Sequence, residues 1–362
     1  MFVAWRDLRF ARGRFTLIGS VVALITLLVG FLSGLTGGLA SQNISGVLEL
    51  PADQIVFSVP KADASTGASF SDSAITEAQA DSWSTAGDVS SAVPIGITQT
   101  RAQAGGTTAN GTQASIAIFG VGAGLAGDHP ATDAQLVLSK GAAANLGVSA
   151  GDTVTIAGTE FTVESITGDS WYSHTPVVYM TLHDWQSYSA ATGNPGAFAT
   201  VLTVTGTPNW LAENAAAGTI SQTPLGSLTA IGAFKSEIGS LLMMVALLFG
   251  ISALVIGAFF TVWTMQRKGD IAVLKALGAS TRSLVRDALG QALVVLLVGV
   301  GVGIAVVALL GTLAGSALPF ILNPFTTLLP AVLLIALGLA GAAFALRSVT
   351  SADPLTALGS NR

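Results

Sequence analysis

Two carboxylates and two thioethers mark the edges of the apolar runs in this chain of 362 residues. Glu49 closes the first long run, Glu237 opens the second, and Met243 and Met244 follow Glu237 by about two helical turns. Oxygen and thioether donors of this kind can hold iron or another transition metal. Each also has a plainer use: methionine fills irregular gaps in an apolar helix, and a carboxylate near Lys235 at the end of a run is simply solvated at an interface. His129, His174 and His183 all fall between the two runs. Imidazole is the stronger metal ligand, yet the three are not adjacent in sequence. His174, in the segment WYSHTP with Tyr172 and Tyr179 nearby, ranks second to the carboxylates and thioethers; its other reading is a hydrogen-bonded surface histidine. The chain has no cysteine, which removes disulfides, thiolate metal sites and iron–sulfur clusters.

Other chemistry is missing. No Gly-x-x-x-x-Gly-Lys-[Ser/Thr] phosphate loop occurs, so ATP hydrolysis belongs to another chain. Gly299, Gly301 and Gly303 lie inside an apolar run, where small residues serve helix packing rather than dinucleotide binding. Neither Gly-x-Ser-x-Gly nor His-Glu-x-x-His is present, so no enzyme is marked. No ionisable side chain falls in the middle of a run, and carriers driven by ion gradients need one there. Energy for any transport would then arrive from a partner.

The elements that must position these residues follow from the distribution of charge. The chain is 51% apolar and 10% charged, against roughly 25% charged in an average soluble domain, with a mean hydropathy of +0.68. Uncharged runs extend over Phe15–Leu48, Ile238–Gln266 and Ala288–Leu346. A membrane-crossing helix needs about 20 apolar residues, so the first two runs hold one span each. The third is broken by Pro319, Asn323-Pro324 and Pro330, residues that end helices, and reads as a hairpin of two. The expected order is an interfacial amphipathic helix at 1–14, a first span and stalk at 15–48, an α+β domain at 49–237, a second span at 238–266, a loop at 267–287, spans at 288–318 and 328–346 around a connection at 319–327, and a tail at 347–362. A cleavable signal peptide is the competing reading of the start, but its apolar part is too long. Segments 1–14, 267–287 and 347–362 carry 11 Lys/Arg and four Asp/Glu, whereas 49–237 carries four and 16. By the positive-inside rule both termini lie in the cytoplasm of a plasma-membrane protein and the large domain outside. Trp5 and Trp263 fall near the inner boundary.

Within the large segment, Ser139 can cap a short helix ending near Gly147. Thr153–Ile156 and Phe161–Ile166 form a hairpin, Val177–Met180 and Ala199–Val204 add strands, and a helix runs over Leu182–Ala190. Residues 61–110 show weak periodicity and include loop.

The loop TVWTMQRKGDIAVLKALGASTRSL (261–284) puts Ile271, Leu274 and Leu277 on one face, with Arg267, Lys268, Asp270 and Lys275 largely elsewhere, and Gly278 offers a helix stop. An amphipathic connector on the membrane surface has this pattern. The wording is closer still to the permeases of the MacB/FtsX type, of ATP-binding cassette transporters, whose loop reads Q-R-K-x-D/E-I-x-x-L-K/R-A-L-G-A. Here it is Gln266, Arg267, Lys268, Asp270, Ile271, Leu274, Lys275, Ala276, Leu277, Gly278 and Ala279. The order of one span, outer domain and three spans resembles that family over the whole chain, as does the tail Asp353-Pro354-Leu355.

The resemblance implies a homodimeric permease whose loops dock as coupling helices on a separate ABC ATPase. No nucleic acid and no resident cofactor are implied; ATP is held by the partner. The segments AWRDLRFARGRFTLIGSV and WYSHTPVVYMTLHDWQSY resemble the haem-exporting branch, which implies haem as cargo and detoxification as purpose. For such a cargo Glu49, Glu237, Met243 and Met244 are the candidate contacts, with Phe31, Phe234 and Phe249 as ring-packing neighbours. The iron would be held through Met243, Met244 or Glu237, and His174 stands second. Gly30, Gly34 and Gly38 recur every four residues and fit either a dimer seam or packing against another span of the same chain. The competing function is a mechanotransmitting permease that regulates an extracellular partner; a third is export of another lipophilic molecule or peptide.

Overall fold

The structure, a computed structural model, describes residues 12–59, 67–106, 111–266, 277–314 and 318–350, together with Gly269, Val273 and Lys275. It divides into two compact units, one of residues 1–38 and 240–362 and one of residues 39–239. Two long helices, α1 (Arg12–Leu48) and α7 (Gly232–Gln266), contribute to both.

In the second unit a sheet of ten strands runs in the order β10-β1-β9-β2-β3-β8-β4-β6-β5, with β7 beside β8. The strands are β1 (Gln54–Ser58), β2 (Val89–Ala104), β3 (Gln113–Val121), β4 (Gln135–Leu138), β5 (Thr153–Ile156), β6 (Thr159–Ile166), β7 (Trp171–Tyr172), β8 (Thr175–Thr181), β9 (Val201–Gly206) and β10 (Thr219–Gln222). Most pairs are antiparallel; β3–β8 and β4–β6 are parallel. β5 also pairs with the far end of β2, so β2, β3, β8, β4, β6 and β5 close a ring. Short helices α2 (Glu77–Ser84), α3 (Lys140–Leu146), α4 (Leu182–Ala191), α5 (Trp210–Ala217) and α6 (Pro224–Ser227) join the strands.

Local chemistry explains these starts and stops. Ser139 accepts from the Ala142 N–H to begin α3, and Gly147 ends it with φ +70°, a left-handed conformation that suits glycine. Thr181 caps α4 in the same way through the Asp184 N–H. Trp185 of α4 lies directly over Gly96 and Gly120, where a Cβ would fall 2.1 and 2.2 Å from its atoms. The weakly periodic stretch 61–110 is more regular than expected: Thr76 and Gln79 form a reciprocal capping box on α2, and β2 spans 16 residues.

Among the described residues, the other unit holds four helices long and apolar enough to cross a membrane, in α1, α7, α8 (Thr281–Ala314) and α9 (Pro324–Thr350). Its core includes Val22, Val29, Phe260, Leu296, Val300 and Leu334. Gly299 and Gly303 sit against Val22 and Thr26, so they serve helix packing as expected.

Two sequence expectations are corrected here. Pro330 lies inside α9 rather than ending a helix. That helix starts at Pro324, before residue 328, because Asn323 and Thr326 cap each other: the Thr326 N–H donates to Asn323 Oδ1 at 2.8 Å, and the Asn323 N–H donates to Thr326 Oγ1 at 3.1 Å. Trp263, near the end of α7, is buried edge-on to Phe15 and Phe260. Trp5 lies outside the described residues.

A Cβ at Gly30 would meet Val307, one at Gly34 the ring of Phe320, and one at Gly38 the carbonyl of Pro319. The stripe is filled by side chains and backbone of the same chain, the second of the two readings given above.

Candidate functional site

The clearest polar cluster lies in the sheet-containing unit and joins three elements. Glu237, in the first two turns of α7, receives two donors: Asn43 Nδ2 of α1 stands 3.1 Å from Oε2, and His174 Nε2 stands 3.1 Å from both carboxylate oxygens. Asn43 is 1% exposed, and its Oδ1 has no hydrogen-bond partner among the described residues. Both Glu237 and His174 keep part of their side chains exposed.

The backbone that presents His174 is specialised. Ser173 and His174 form the two-residue turn between β7 and β8, and both have positive φ, at +49° and +64°. A turn of this hand suits the twist of a hairpin, but Asn-Gly is its usual sequence. Non-glycine residues there cost on the order of 1 kcal/mol or more each. The offsetting contacts are visible: the Ser173 N–H donates to the Asn43 carbonyl at 3.0 Å, and the His174 N–H to the Gln42 carbonyl at 2.9 Å. Gln99 Nε2 also donates to the Ser173 carbonyl at 3.2 Å.

Glu49 belongs to a different neighbourhood. Ser170 Oγ donates to its carboxylate, and the Tyr179 hydroxyl donates to Ser170 Oγ at 3.4 Å. With Asp128, His129 and Thr167 these groups line a polar cleft of about 270 Å³. Burial pushes the Tyr179 hydroxyl above its ordinary pKa, and the Glu49 charge pushes the same way, while the Ser170 hydrogen bond opposes them. Burial alone raises Tyr172. His129 Nε2 is 2.7 Å from the Leu125 carbonyl. His183, well exposed, pairs with Asp133 at 3.0 Å beside Asp184.

The remaining candidates sit as follows. Met243 and Met244 of α7 are 66% and 47% exposed in the four-helix unit, so neither is core filling in this chain. Phe249 packs against that unit's core, and Phe31 lies 5.0 Å from Phe320 between ring centroids. Phe234 is buried under the sheet. Sequence reasoning missed Asn43, although the polar triplet Ser41-Gln42-Asn43 inside the first uncharged run was a readable signal.

Of the 267–279 loop, Arg267, Lys268, Asp270, Ile271, Leu274 and Ala276 lie outside the described residues. The Leu277 N–H donates to the Val273 carbonyl at 3.0 Å, one helical turn, and both side chains are exposed. Gly278 follows with φ +94°, and its N–H donates to the Lys275 carbonyl at 3.0 Å.

Residues 17–218 match the MacB-like periplasmic core domain, and residues 251–354 match the FtsX-like permease C-terminal domain. This chain belongs to the MacB/FtsX permeases. Relatives of this permease are similar over nearly its whole length. A protein of Staphylococcus haemolyticus provisionally assigned as the hemin transport system permease protein HrtB is 26% identical, covering 99% of both chains. An ABC transporter permease of Mycobacterium tuberculosis is 25% identical with the same coverage. Among solved structures, the extracellular domain of the noncanonic ABC-type transporter YknZ from Gram-positive bacteria aligns at 12% identity over 49% of this chain and 92% of that one, with a TM-score of 0.32. The periplasmic region of MacB from Actinobacillus actinomycetemcomitans aligns at 14% identity over 49% and 94%, with a TM-score of 0.33. The permease is thus a multi-pass membrane protein with an α+β domain between its first and second spans, and as an ABC permease it works with an ATPase subunit.

Proposed function

We propose that this permease exports haem from the plasma membrane, as a homodimer driven by an HrtA-like ATPase. The termini and the 267–287 loop lie in the cytoplasm, and the sheet-containing domain lies outside. The observation that carries the reading is the meeting of His174 with Glu237. A histidine and a carboxylate at the start of α7 offer the two strongest oxygen and nitrogen donors for iron that the candidates contain. Asn43, buried beneath them, holds the carboxylate in place. Met243 and Met244, exposed in the four-helix unit, are separate candidate soft contacts for the same cargo. The full-length similarity to proteins named as hemin permeases supports this cargo over a peptide or another lipid.

Force reaches the permease through the loop. Val273 and Leu277 present one apolar edge a turn apart, which suits docking into a groove on the ATPase. ATP hydrolysis is assigned to that ATPase subunit.

The test is a haemin titration of the permease–ATPase complex by absorption spectroscopy, comparing the wild type with Glu237→Ala, His174→Ala and Met243→Ala/Met244→Ala. A saturable shift of the Soret band that weakens tenfold or more in Glu237→Ala or His174→Ala is the expected result. Absence of saturable binding in the wild type sinks haem as the cargo.

A further inference from the structure

Three side-chain atoms of the cluster on α1, α7 and the β7–β8 turn stand at the corners of an equilateral triangle. Asn43 Nδ2, His174 Nε2 and Glu237 Oε2 are each 3.1 Å from the other two. Glu237 Oε1 lies at the same distance from His174 Nε2.

As a hydrogen-bond network the triangle is always one bond short. The amide nitrogen can only donate. A protonated Nε2 donates to the carboxylate and then faces Asn43 Nδ2 donor to donor. An unprotonated Nε2 accepts from Nδ2 and then sets its lone pair against those of the carboxylate. A proton on Glu237 would instead bring two donors to the one lone pair of Nε2. A second, independent observation concerns the same amide: Asn43 is 1% exposed, and its Oδ1 is buried with no hydrogen-bond partner among the described residues. A buried acceptor left without a donor is costly.

A cation removes both difficulties. Ligand atoms about 2.1 Å from a metal and about 90–110° apart lie about 3.0–3.4 Å from one another, and the triangle has that spacing. Its corners share a point about 2.1 Å from each and about 1.1 Å out of their plane. A half-turn of the Asn43 amide exchanges Nδ2 for Oδ1 and brings a lone pair to that point. The donors are then an imidazole nitrogen, an amide oxygen and a carboxylate with both oxygens in reach. Imidazole favours zinc and its transition-metal neighbours over magnesium or calcium, and three protein ligands plus water is a familiar zinc set. His174 and Glu237 keep part of their side chains exposed, which leaves room for the water. The backbone holds the ligands in place, because the N–H groups of Ser173 and His174 donate to the carbonyls of Asn43 and Gln42.

The other grouping of this kind, Asp133, His183 and Asp184, lacks the second observation. Its carboxylates are already engaged, Asp133 by the Thr181 hydroxyl and His183, Asp184 by the Ala134 N–H.

We propose that Asn43, His174 and Glu237 form a three-ligand site for one divalent transition-metal ion of the zinc class, which fastens α1 and α7 to the β7–β8 turn. The ion shares His174 and Glu237 with the haem reading of this site and to that extent rests on it, but zinc is titrated without haem, so each can fail alone.

The test is a calorimetric titration of ZnCl2 into the full chain in detergent, stripped of metal with EDTA and freed of chelator and of any histidine tag. One-to-one saturable binding is expected, weakened at least tenfold in His174→Ala and Glu237→Gln and unchanged in His183→Ala. Zinc should raise the unfolding midpoint of the wild type and not that of His174→Ala. Asn43→Asp separates an ion site from a hydrogen-bonded brace. It offers an oxygen whichever way it turns, so it should bind zinc at least as tightly as the wild type. In EDTA its added carboxylate repels Glu237 and should lower the unfolding midpoint, which zinc restores. No saturable binding in the wild type, equal affinity in His174→Ala, a loss in His183→Ala instead, or a loss in Asn43→Asp would each overturn the proposal. If Asn43→Asp fails to fold, the His174→Ala and Glu237→Gln titrations decide alone.

Discussion

Adding one methyl group at Gly30, Gly34 and Gly38 should give a graded loss of stability. The new Cβ at Gly30 would lie 2.9 Å from Val307 Cγ2, the end of a side chain that can turn aside. At Gly34 it would lie 2.4, 2.7 and 2.9 Å from three atoms of the Phe320 ring, which is already held against Gly311 and Phe31. At Gly38 it would lie 1.7 Å from the Pro319 carbonyl oxygen and 2.3 Å from its carbon, both backbone. Non-bonded carbon contacts relax to about 3.5–4.0 Å. Gly30→Ala thus asks a small movement of one methyl, Gly34→Ala about 1 Å of a pinned ring, and Gly38→Ala nearly 2 Å of main chain. Overpacking costs about 1–3 kcal/mol and sometimes more, while replacing glycine by alanine within a helix returns up to about 1 kcal/mol. The balance is near zero for Gly30→Ala, about 1–2 kcal/mol lost for Gly34→Ala, and about 3 kcal/mol or failure to fold for Gly38→Ala. The assay is the apparent unfolding midpoint in detergent at one heating rate, fixed because unfolding of such proteins is often irreversible, with light scattering to report oligomeric state. Three unchanged midpoints accompanied by dissociation into monomers would refute packing within the chain and return the stripe to a subunit interface.

Two further outcomes follow from the geometry. Tyr179 has its folded pKa raised by burial, above an unfolded value of about 10. Its contribution is therefore complete below about pH 10 and is lost as pH rises through the folded value; Tyr179→Phe should flatten the fall in unfolding midpoint above about pH 10, and an unchanged slope would contradict the burial argument. Reversing the charge at Asp270, or deleting residues 274–277, should separate ATPase activity from export in reconstituted liposomes without disturbing membrane insertion. Normal export by both variants would remove the coupling role of the loop.

Elements governed by nearest neighbours were legible from sequence. The cap at Ser139, the stop at Gly147, the hairpin of β5 and β6, and α4 from Leu182 all rest on contacts within a few residues. The four spans were legible because a bilayer leaves so few alternatives to long apolar helices. Elements fixed by distant partners were harder. β2 reads weakly because three strands share it and no single face alternates cleanly. Pro330 misled because a capped start at Asn323 lets the helix establish itself two turns before it.

The site divides along the same line. Glu237 stood out because a carboxylate at the edge of an apolar run is conspicuous by itself, whereas its partners lie 63 and 194 residues away in sequence. The turn that brings His174 there uses Ser-His where Asn-Gly is the familiar signal, so no local rule announces it. What holds that turn in its left-handed form is the docking of its two N–H groups onto α1, a cause that exists only once the fold does. Glu49 fails in the opposite sense. It looks like the mate of Glu237 because both border apolar runs, yet Asn43 and Glu49 are six residues apart, about one and two-thirds turns. A helix that aims Asn43 at Glu237 therefore aims the region of Glu49 elsewhere, toward Ser170 and Tyr179. Two residues with the same sequence signature thus fall into separate sites, and the helical repeat alone is enough to part them.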